Sequence, residues 1–259
     1  MSGQKLSSAE KTFFGHPLQL STLFHIELWE RFSFYGMQGI LLIYLYYAAN
    51  QGGLGMDKAL AGGIVGAYGG SVYLSTILGA WLADRIWGAE RTLFIAGIVV
   101  MTGHILLAIV PGLMGLLLGL VFIALGSGGV KSSAGSMVGS LYERDDLREL
   151  RDAGFSIFYI SINIGGFLGP LLTGILQDRM GFHYGFGAAA VGMAFGLMWY
   201  SRGRKNLPHT PAPNPLRPEK VQTAIAVGVL LVLVLGSVIA SGALNLENFS
   251  RWLLGVVII

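Results

Sequence analysis

Long apolar runs separated by short charged gaps dominate this chain. They extend roughly from Leu20 to Ala49, Ala59 to Ile86, Thr92 to Val110, Leu113 to Tyr142, Ala153 to Met180 and Tyr184 to Ser201. About 20 apolar residues suffice for a helix to cross a bilayer, so six spans are expected. A seventh run, Val221 to Ala243, follows a Pro-rich stretch, and an eighth begins near Phe249. The pattern predicts an all-α polytopic membrane protein. Composition agrees: only 12% of the 259 residues are charged and 39 are Gly, where soluble domains carry about 25% charged residues and about 7% Gly. Mean hydropathy is +0.64. The absence of Cys excludes disulfide scaffolds, thiol nucleophiles and thiolate metal sites, and the five His at 16, 25, 104, 183 and 209 have no paired ligand spacing. No metal or organic cofactor is expected.

The formal charge of +3 would suggest nucleic acid in a soluble chain. In a membrane protein it points instead to one basic membrane face. Lys5, Lys11, Arg85, Arg91, Arg144, Arg148, Arg151, Arg202, Arg204, Lys205, Arg217 and Lys220 fall in gaps on one side, against Lys58 and Arg179 on the other. By the positive-inside rule the amino terminus and the linker after the sixth span are cytoplasmic. A multi-pass plasma-membrane protein is expected, with the lipid bilayer as a partner and no nucleic acid. Residues 1–10 are polar and show no cleavable signal. The expected organisation is a cytoplasmic segment over residues 1–19, a six-helix bundle over 20–201, a Pro-rich basic linker over 202–220 and further membrane helix over 221–259. Within the linker, the stretch from Gly203 to Glu219, with Pro at 208, 211, 213, 215 and 218, is expected to be non-helical and in water. Small residues recur four apart at Gly62, Gly66 and Gly70, at Gly135 and Gly139, at Gly165 and Gly169, and at Gly192 and Gly196. Each set is expected to be a close helix-packing seam.

Four charged residues stand out because they lie within the apolar runs: Glu27, Glu30, Arg31 and Lys131. With a helix starting near Leu20 and a rise of about 1.5 Å per residue, Glu27 to Arg31 lie roughly 10 to 16 Å into the span. That is too deep for headgroup contact. Glu27 and Arg31 are four apart with the acid first, and Glu30 is three from Glu27, so all three crowd one side of the helix. Tyr35 and Gln38 continue it. Lys131 has no acid within reach on its own helix, and a lone Lys at mid-span costs about 2.5 to 3.5 kcal/mol. Two carboxylates and one guanidinium leave a charge of minus one, which Lys131 balances. The first and fourth helices are therefore expected to face each other across a polar cavity. Burial favours the neutral acid while the cations favour the carboxylate, an opposition that makes a proton switch feasible near neutral pH. The bland alternative is a snorkelling cluster with Lys131 as a fixed ion-pair partner.

Three motifs then resemble the proton-coupled oligopeptide transporter family of the major facilitator superfamily. Glu27-Leu-Trp-Glu30-Arg31-Phe-Ser-Phe34-Tyr35-Gly36 is similar to the family's ExxERFxYYG signature. Gly79-Ala-Trp-Leu-Ala-Asp84-Arg85-Ile-Trp-Gly88-Ala-Glu-Arg91-Thr92 resembles its loop between the second and third helices, and Phe158-Tyr159-Ile-Ser-Ile-Asn163-Ile-Gly165 resembles FYxxINxG of the fifth. The resemblance covers about residues 14 to 205. It implies the amino-terminal six-helix bundle of a two-bundle, alternating-access fold, followed by the start of a two-helix insertion, with the second bundle absent but needed for transport. It implies import of di- and tripeptides with protons as the coupling ion. Glu27, Glu30, Arg31 and Lys131 would couple protons. Arg31, Phe34, Tyr35, Gln38, Tyr73, Lys131 and Asn163 would line the peptide site, and Asp84, Arg85 and Arg91 would hold helix ends in one state. Three departures stand out: Phe34 where members often have Tyr, Gln38 where many have Arg, and Ser132-Ser133 where Pro-Asn is common. An amide offers hydrogen bonds without the charge of a carboxylate clamp. A related carrier of an amino acid, nitrate or peptide-like solute, and a non-transporting scaffold, stay open. An enzyme is not expected. Lys131 beside Ser132 and Ser133 could make a nucleophile and base only if neighbours on a helix, about 100° apart, pointed together.

Overall fold

The computed structural model describes residues 12–241. The expected eighth run from Phe249, the end of the seventh, and Lys5 and Lys11 lie outside the described residues. Two short strands, β1 (Thr12–Phe13) and β2 (His16–Pro17), pair antiparallel. Seven α-helices follow among the described residues: α1 (Gln19–Tyr46), α2 (Lys58–Leu82), α3 (Ala89–Ile109), α4 (Gly112–Leu141), α5 (Arg151–Met180), α6 (Phe182–Gly203) and α7 (Pro218–Ala240). Four helical segments, 58–87, 89–109, 112–141 and 148–180, are long and apolar enough to cross a membrane by length and composition. The chain is a multi-pass membrane protein. α1, with its three mid-helix charges, does not meet that apolar criterion, and its packing supplies the reason. It runs against α2, α4, α5 and α6, so protein rather than lipid surrounds those charges.

Local chemistry sets the helix ends. Asp57 caps α2 by accepting hydrogen bonds from the amides of Ala59 and Leu60 at 2.8 and 3.2 Å. Gly181, at φ 102°, reverses the chain between α5 and α6. In the amino-terminal hairpin, Phe14 and Gly15 both take positive φ, 52° and 80°, as a two-residue hairpin turn requires. His16 then meets the Tyr142 hydroxyl at 2.8 Å through Nδ1, and burial pulls its imidazole below the ordinary histidine range.

Apolar packing forms two separate clusters. One gathers Phe34, Met37, Ile40, Leu41 and Tyr44 of α1 with Ile64 and Tyr68 of α2, Leu120 and Ile123 of α4, and Phe182 and Phe186 of α6. The other gathers Leu20, Leu23 and Ile26 with Val130, Met137 and Leu141 of α4, and Met193, Leu197 and Tyr200 of α6. Between them α1 carries Glu27 to Ser33 and α4 carries Ser127 to Gly129. A polar layer therefore crosses the bundle at mid-height.

Glycines bring the helices together at that layer. A Cβ at Gly165 would strike the Leu28 carbonyl and come within 2.9 Å of the Arg31 Cβ; one at Gly169 would strike the Phe32 carbonyl, and one at Gly36 would lie 2.7 Å from the Thr173 methyl. Thr173 completes this α1–α5 seam by donating to the Gly36 carbonyl at 2.8 Å. Gly192 and Gly196 likewise admit Phe32 and Trp29. The other two expected seams differ. Gly62, Gly66 and Gly70 on α2, and Gly135 and Gly139 on α4, face open space. Four-residue spacing marks a smooth helix face without saying which neighbour covers it.

The linker also departs from expectation. Arg204–Asn206 forms one three-ten turn, and α7 begins at Pro218, where the missing amide hydrogen costs nothing. The chain between is strapped to the turn joining α2 and α3, a π-helical turn over Ala83–Trp87 ending at Gly88. The Asn214 and Leu216 amides donate to the carbonyls of Asp84 and Arg85 at 3.0 and 2.8 Å. The Glu90 amide donates to Thr210 Oγ1 at 3.1 Å, and Arg204 grips the Glu90 carboxylate at 2.6 and 3.2 Å while lying 3.9 Å over the Phe94 ring. Gly88, at φ 78°, leaves room for the Thr210 carbonyl.

Replacing Gly165 with Val is expected to lower stability by about 1 to 3 kcal/mol through overpacking, whereas Gly62→Ala should be near neutral; thermal unfolding in detergent checks both, and equal behaviour would contradict the seam assignment. Glu90→Ala removes the strap's charged anchor. Limited proteolysis within residues 207–217 should then proceed severalfold faster than in the parent protein.

Candidate functional site

α1 delivers the site's charges because its register repeats them on one buried side. Glu27 is 4% exposed, Glu30 0% and Arg31 6%. Arg31 Nε stands 3.1 Å from Glu27 Oε1, and Arg31 Nη2 stands 2.6 Å from Glu30 Oε2. One guanidinium thus serves two carboxylates. Neither approach has hydrogen-bond alignment, so the attraction is chiefly charge on charge. The remaining Glu30 oxygen, Oε1, accepts a hydrogen bond from Ser127 of α4 at 2.9 Å. Glu27 Oε2 has no hydrogen-bond partner among the described residues. Charges removed from water on both sides cost several kcal/mol unless paired, and removal of one partner typically costs about 3 to 5 kcal/mol.

Aromatic rings frame the guanidinium. Arg31 Cζ is 5.5 Å from the Phe34 ring centroid and 6.0 Å from that of Tyr35. Phe34 is buried and stacks on Tyr68 of α2 with ring centroids 6.3 Å apart. It is part of an apolar core cluster, so its ring reaches the layer through Arg31 and Tyr68 and not as an exposed wall. Tyr68 is the residue that sequence reasoning passed over. Its ring is 5% exposed, its hydroxyl has no partner among the described residues, and it lies within electrostatic reach of Glu30 and Arg31. Ser127 was passed over too. It sits four residues before Lys131 on the same helix, so the i, i+4 rule already placed it on the Lys131 side.

Lys131 is not the fixed ion-pair partner of the bland alternative. Among the described residues it makes no ion pair. Its ammonium lies 4.1 Å from the Tyr73 ring centroid, and both side chains are exposed, Tyr73 at 67%. The positive charge nevertheless acts on Glu27 through space. Helix direction explains the separation: Ser127 occupies the close approach between α1 and α4, and the longer Lys131, one turn on, reaches out toward α2.

The open face adjoining this layer carries most of the other expected residues. Tyr35 is 37% exposed and lies against Gly166 of α5, where an added Cβ would stand 3.3 Å from its ring. Asn163, three residues earlier on α5, is exposed and donates through Nδ2 to the Tyr159 carbonyl at 3.0 Å. Gln38 is half-buried. The side chains of Asp84, on the α2–α3 turn, and Arg91, in the first turn of α3, are exposed and that of Arg85 is half-buried; the backbone of Asp84 and Arg85, not their side chains, holds the linker. The arrangement can store a shared charge in a dry layer and present an exposed cation and two phenols beside it. Among the described residues no cluster of three His, Cys, Asp or Glu is placed to hold a metal.

The chain is similar to known proteins along most of its length. It is 47% identical over 249 residues to an uncharacterized transporter, YclF, of Bacillus subtilis (strain 168), an alignment covering 94% of this chain and 50% of that protein. It is 50% identical over 205 residues to a di-/tripeptide transporter of Lactococcus lactis subsp. lactis (strain IL1403), covering 78% of this chain and 41% of that one. The crystal structure of a peptide transporter POT in complex with sulfate superposes with a TM-score of 0.83 at 43% identity, over 100% of this chain and 54% of the other. The chain thus spans about half the length of the curated relatives it matches, and its fold is of the major facilitator type. The PTR2 model, described as the POT family, matches residues 90–250, and with these relatives it establishes that the chain belongs to the POT family.

Proposed function

We propose that this chain forms one bundle of a proton-coupled secondary transporter that imports di- and tripeptides by alternating access. In this reading the amino terminus and linker face the cytoplasm, and a second bundle completes the cavity. The observation that carries the proposal is the buried Glu27–Arg31–Glu30 triad beside an open wall of Tyr35, Tyr73, Lys131 and Asn163. A protein needing only stability would gain from apolar residues at these positions. The di-/tripeptide transporter of Lactococcus lactis supports the substrate class by its similarity.

The triad then works as a charge exchange. Protonating Glu27 or Glu30 removes one negative charge from a set that Arg31 and Lys131 together balance, and frees part of the guanidinium. Lys131 and the freed Arg31 offer positive charge to an anionic substrate group. When substrate departs, the guanidinium returns to the acids and the proton leaves. Opening of one bundle against the other around such a site is the general mode of secondary transporters. Asp84, Arg85 and Arg91 hold helix ends in one state in this reading.

Gln38 favours a second reading, in which the solute is an amino acid, nitrate or another peptide-like compound. An amide in place of a guanidinium removes a bidentate clamp for a carboxylate. Competition among labelled dipeptides, amino acids and nitrate for uptake by the full-length protein separates the two. A scaffold would show no uptake driven by an imposed pH gradient.

In proteoliposomes, Glu27→Gln or Glu30→Gln in the full-length protein is expected to abolish gradient-driven accumulation while exchange persists in part. Full accumulation in both variants would remove them as coupling sites. Lys131→Ala should behave alike. Ser127→Ala leaves Glu30 Oε1 without its donor, and thermal unfolding should register a loss of about 1 to 3 kcal/mol.

A further inference from the structure

A groove separate from the charged layer lies where the start of α1 meets the end of α6. It has a cavity volume of about 310 Å³ and is lined by Leu18, Gln19, Thr22, Trp199, Arg202 and Asn206, among others. We propose that this groove binds the headgroup of an anionic phospholipid, with Arg202 meeting the phosphate and an acyl chain running along the outer face of α6.

Charge supports the choice of ligand. Among the described residues no Asp or Glu lines the groove. Arg202 spends one nitrogen on the Met198 carbonyl at 3.2 Å and makes no ion pair among the described residues, so its remaining donors point to no protein anion. Lys205, three residues on, is also exposed. A zwitterionic headgroup would bring an ammonium to a site whose described lining holds no acid, whereas an anionic one meets Arg202 directly.

Shape supports a lipid over a soluble anion. Val191, Phe195, Met198 and Trp199 are 56%, 47%, 45% and 49% exposed and recur at spacings of four, three and one along α6. They form one exposed apolar strip along α6, bordered on its α1 side by Trp29 against Phe195 and His25 against Trp199, and it leads to Arg202. Trp at the end of such a strip suits the boundary between acyl chains and headgroups, and Arg can lay its stem on apolar surface while its head reaches phosphate. The wall is also fixed in place. Trp199 stacks on His25 at 4.3 Å between centroids and 20° between planes, and His25 Nδ1 bonds the Ser21 carbonyl at 2.7 Å. The site depends on membrane position alone, not on the transport reading.

Quenching of tryptophan fluorescence by lipids with brominated acyl chains tests this in the full-length protein reconstituted in vesicles. Brominated phosphatidylglycerol mixed into phosphatidylcholine should quench a component that Trp199→Phe removes, and should do so at a lower mole fraction than brominated phosphatidylcholine. Arg202→Gln should weaken that preference roughly fivefold, the weight of one basic side chain at an anionic surface. A melting temperature equal to the parent's keeps the variant's fold under control. Equal quenching by the two lipids, an unchanged preference in Arg202→Gln, or displacement by millimolar inorganic phosphate without any lipid selectivity would each overturn the proposal.

Discussion

A guanidinium shared between two carboxylates, all three closed off from water and lipid, dictates how the helices around α1 must be arranged. Arg31 stands 3.1 Å from Glu27 and 2.6 Å from Glu30, and no surface of α1 at that height can be left to acyl chains. The surrounding helices answer with different chemistry. α4 brings Ser127 as a hydrogen-bond donor, α2 brings the Tyr68 phenol, α5 brings Gly165 so that its backbone can lie against Arg31, and α6 brings Gly192 and Gly196 to seat Trp29 and Phe32. The apolar core is split in two because this layer cannot be apolar. What would be a single continuous core in a soluble bundle becomes two clusters, above and below the charges.

The same constraint explains why glycines concentrate where they do. In lipid there is little hydrophobic gain from pressing helices together, so close packing and polar contacts must supply the adhesion. Gly36, Gly165 and Gly169 bring α1 and α5 backbones into direct contact, and that proximity lets Thr173 bond the Gly36 carbonyl. The motif glycines are therefore part of the charge site. They set the distance at which Arg31 is shielded. A tight α1–α5 pair beside an α2 whose Gly62, Gly66 and Gly70 stand open also gives the bundle one rigid side and one side free to meet another surface.

Much of this was legible in the amino-acid order. Apolar run length placed the helices, since backbone groups in a membrane leave few alternatives to α-helix. The three- and four-residue spacings placed Glu27, Glu30 and Arg31 on one side because helical geometry does so wherever the helix lies. What could not be read is what stands opposite. Charge balance paired Lys131 with the acids, but balance acts over a distance and does not require contact; Ser127, shorter and one turn away, takes the contact instead. The motif marks Phe34 as a substrate residue but cannot show that its ring is buried against Tyr68. Tyr68 went unnoticed because a lone phenol in an apolar helix has no partner in its own sequence neighbourhood. The linker misled for a similar reason. Repeated Pro rules out helix, but Pro-rich chain leaves alternate amides free, and those of Asn214 and Leu216 found the carbonyls of Asp84 and Arg85.

The two acids differ in a way that bears on any charge exchange in this layer. Glu30 is tied at both oxygens, one to Ser127 across the helix interface and one to Arg31. Glu27 is tied at one, and its second oxygen has no partner among the described residues. If Arg31 turns away toward another anion, Glu30 retains its serine donor whereas Glu27 retains nothing but the distant field of Lys131. Buried carboxylates left without a donor carry the full desolvation penalty. Release of the guanidinium therefore falls hardest on Glu27, and a proton there relieves the larger imbalance. The hydrogen bond between α4 and α1 meanwhile keeps Glu30 in place, so the layer can change its charge without coming apart.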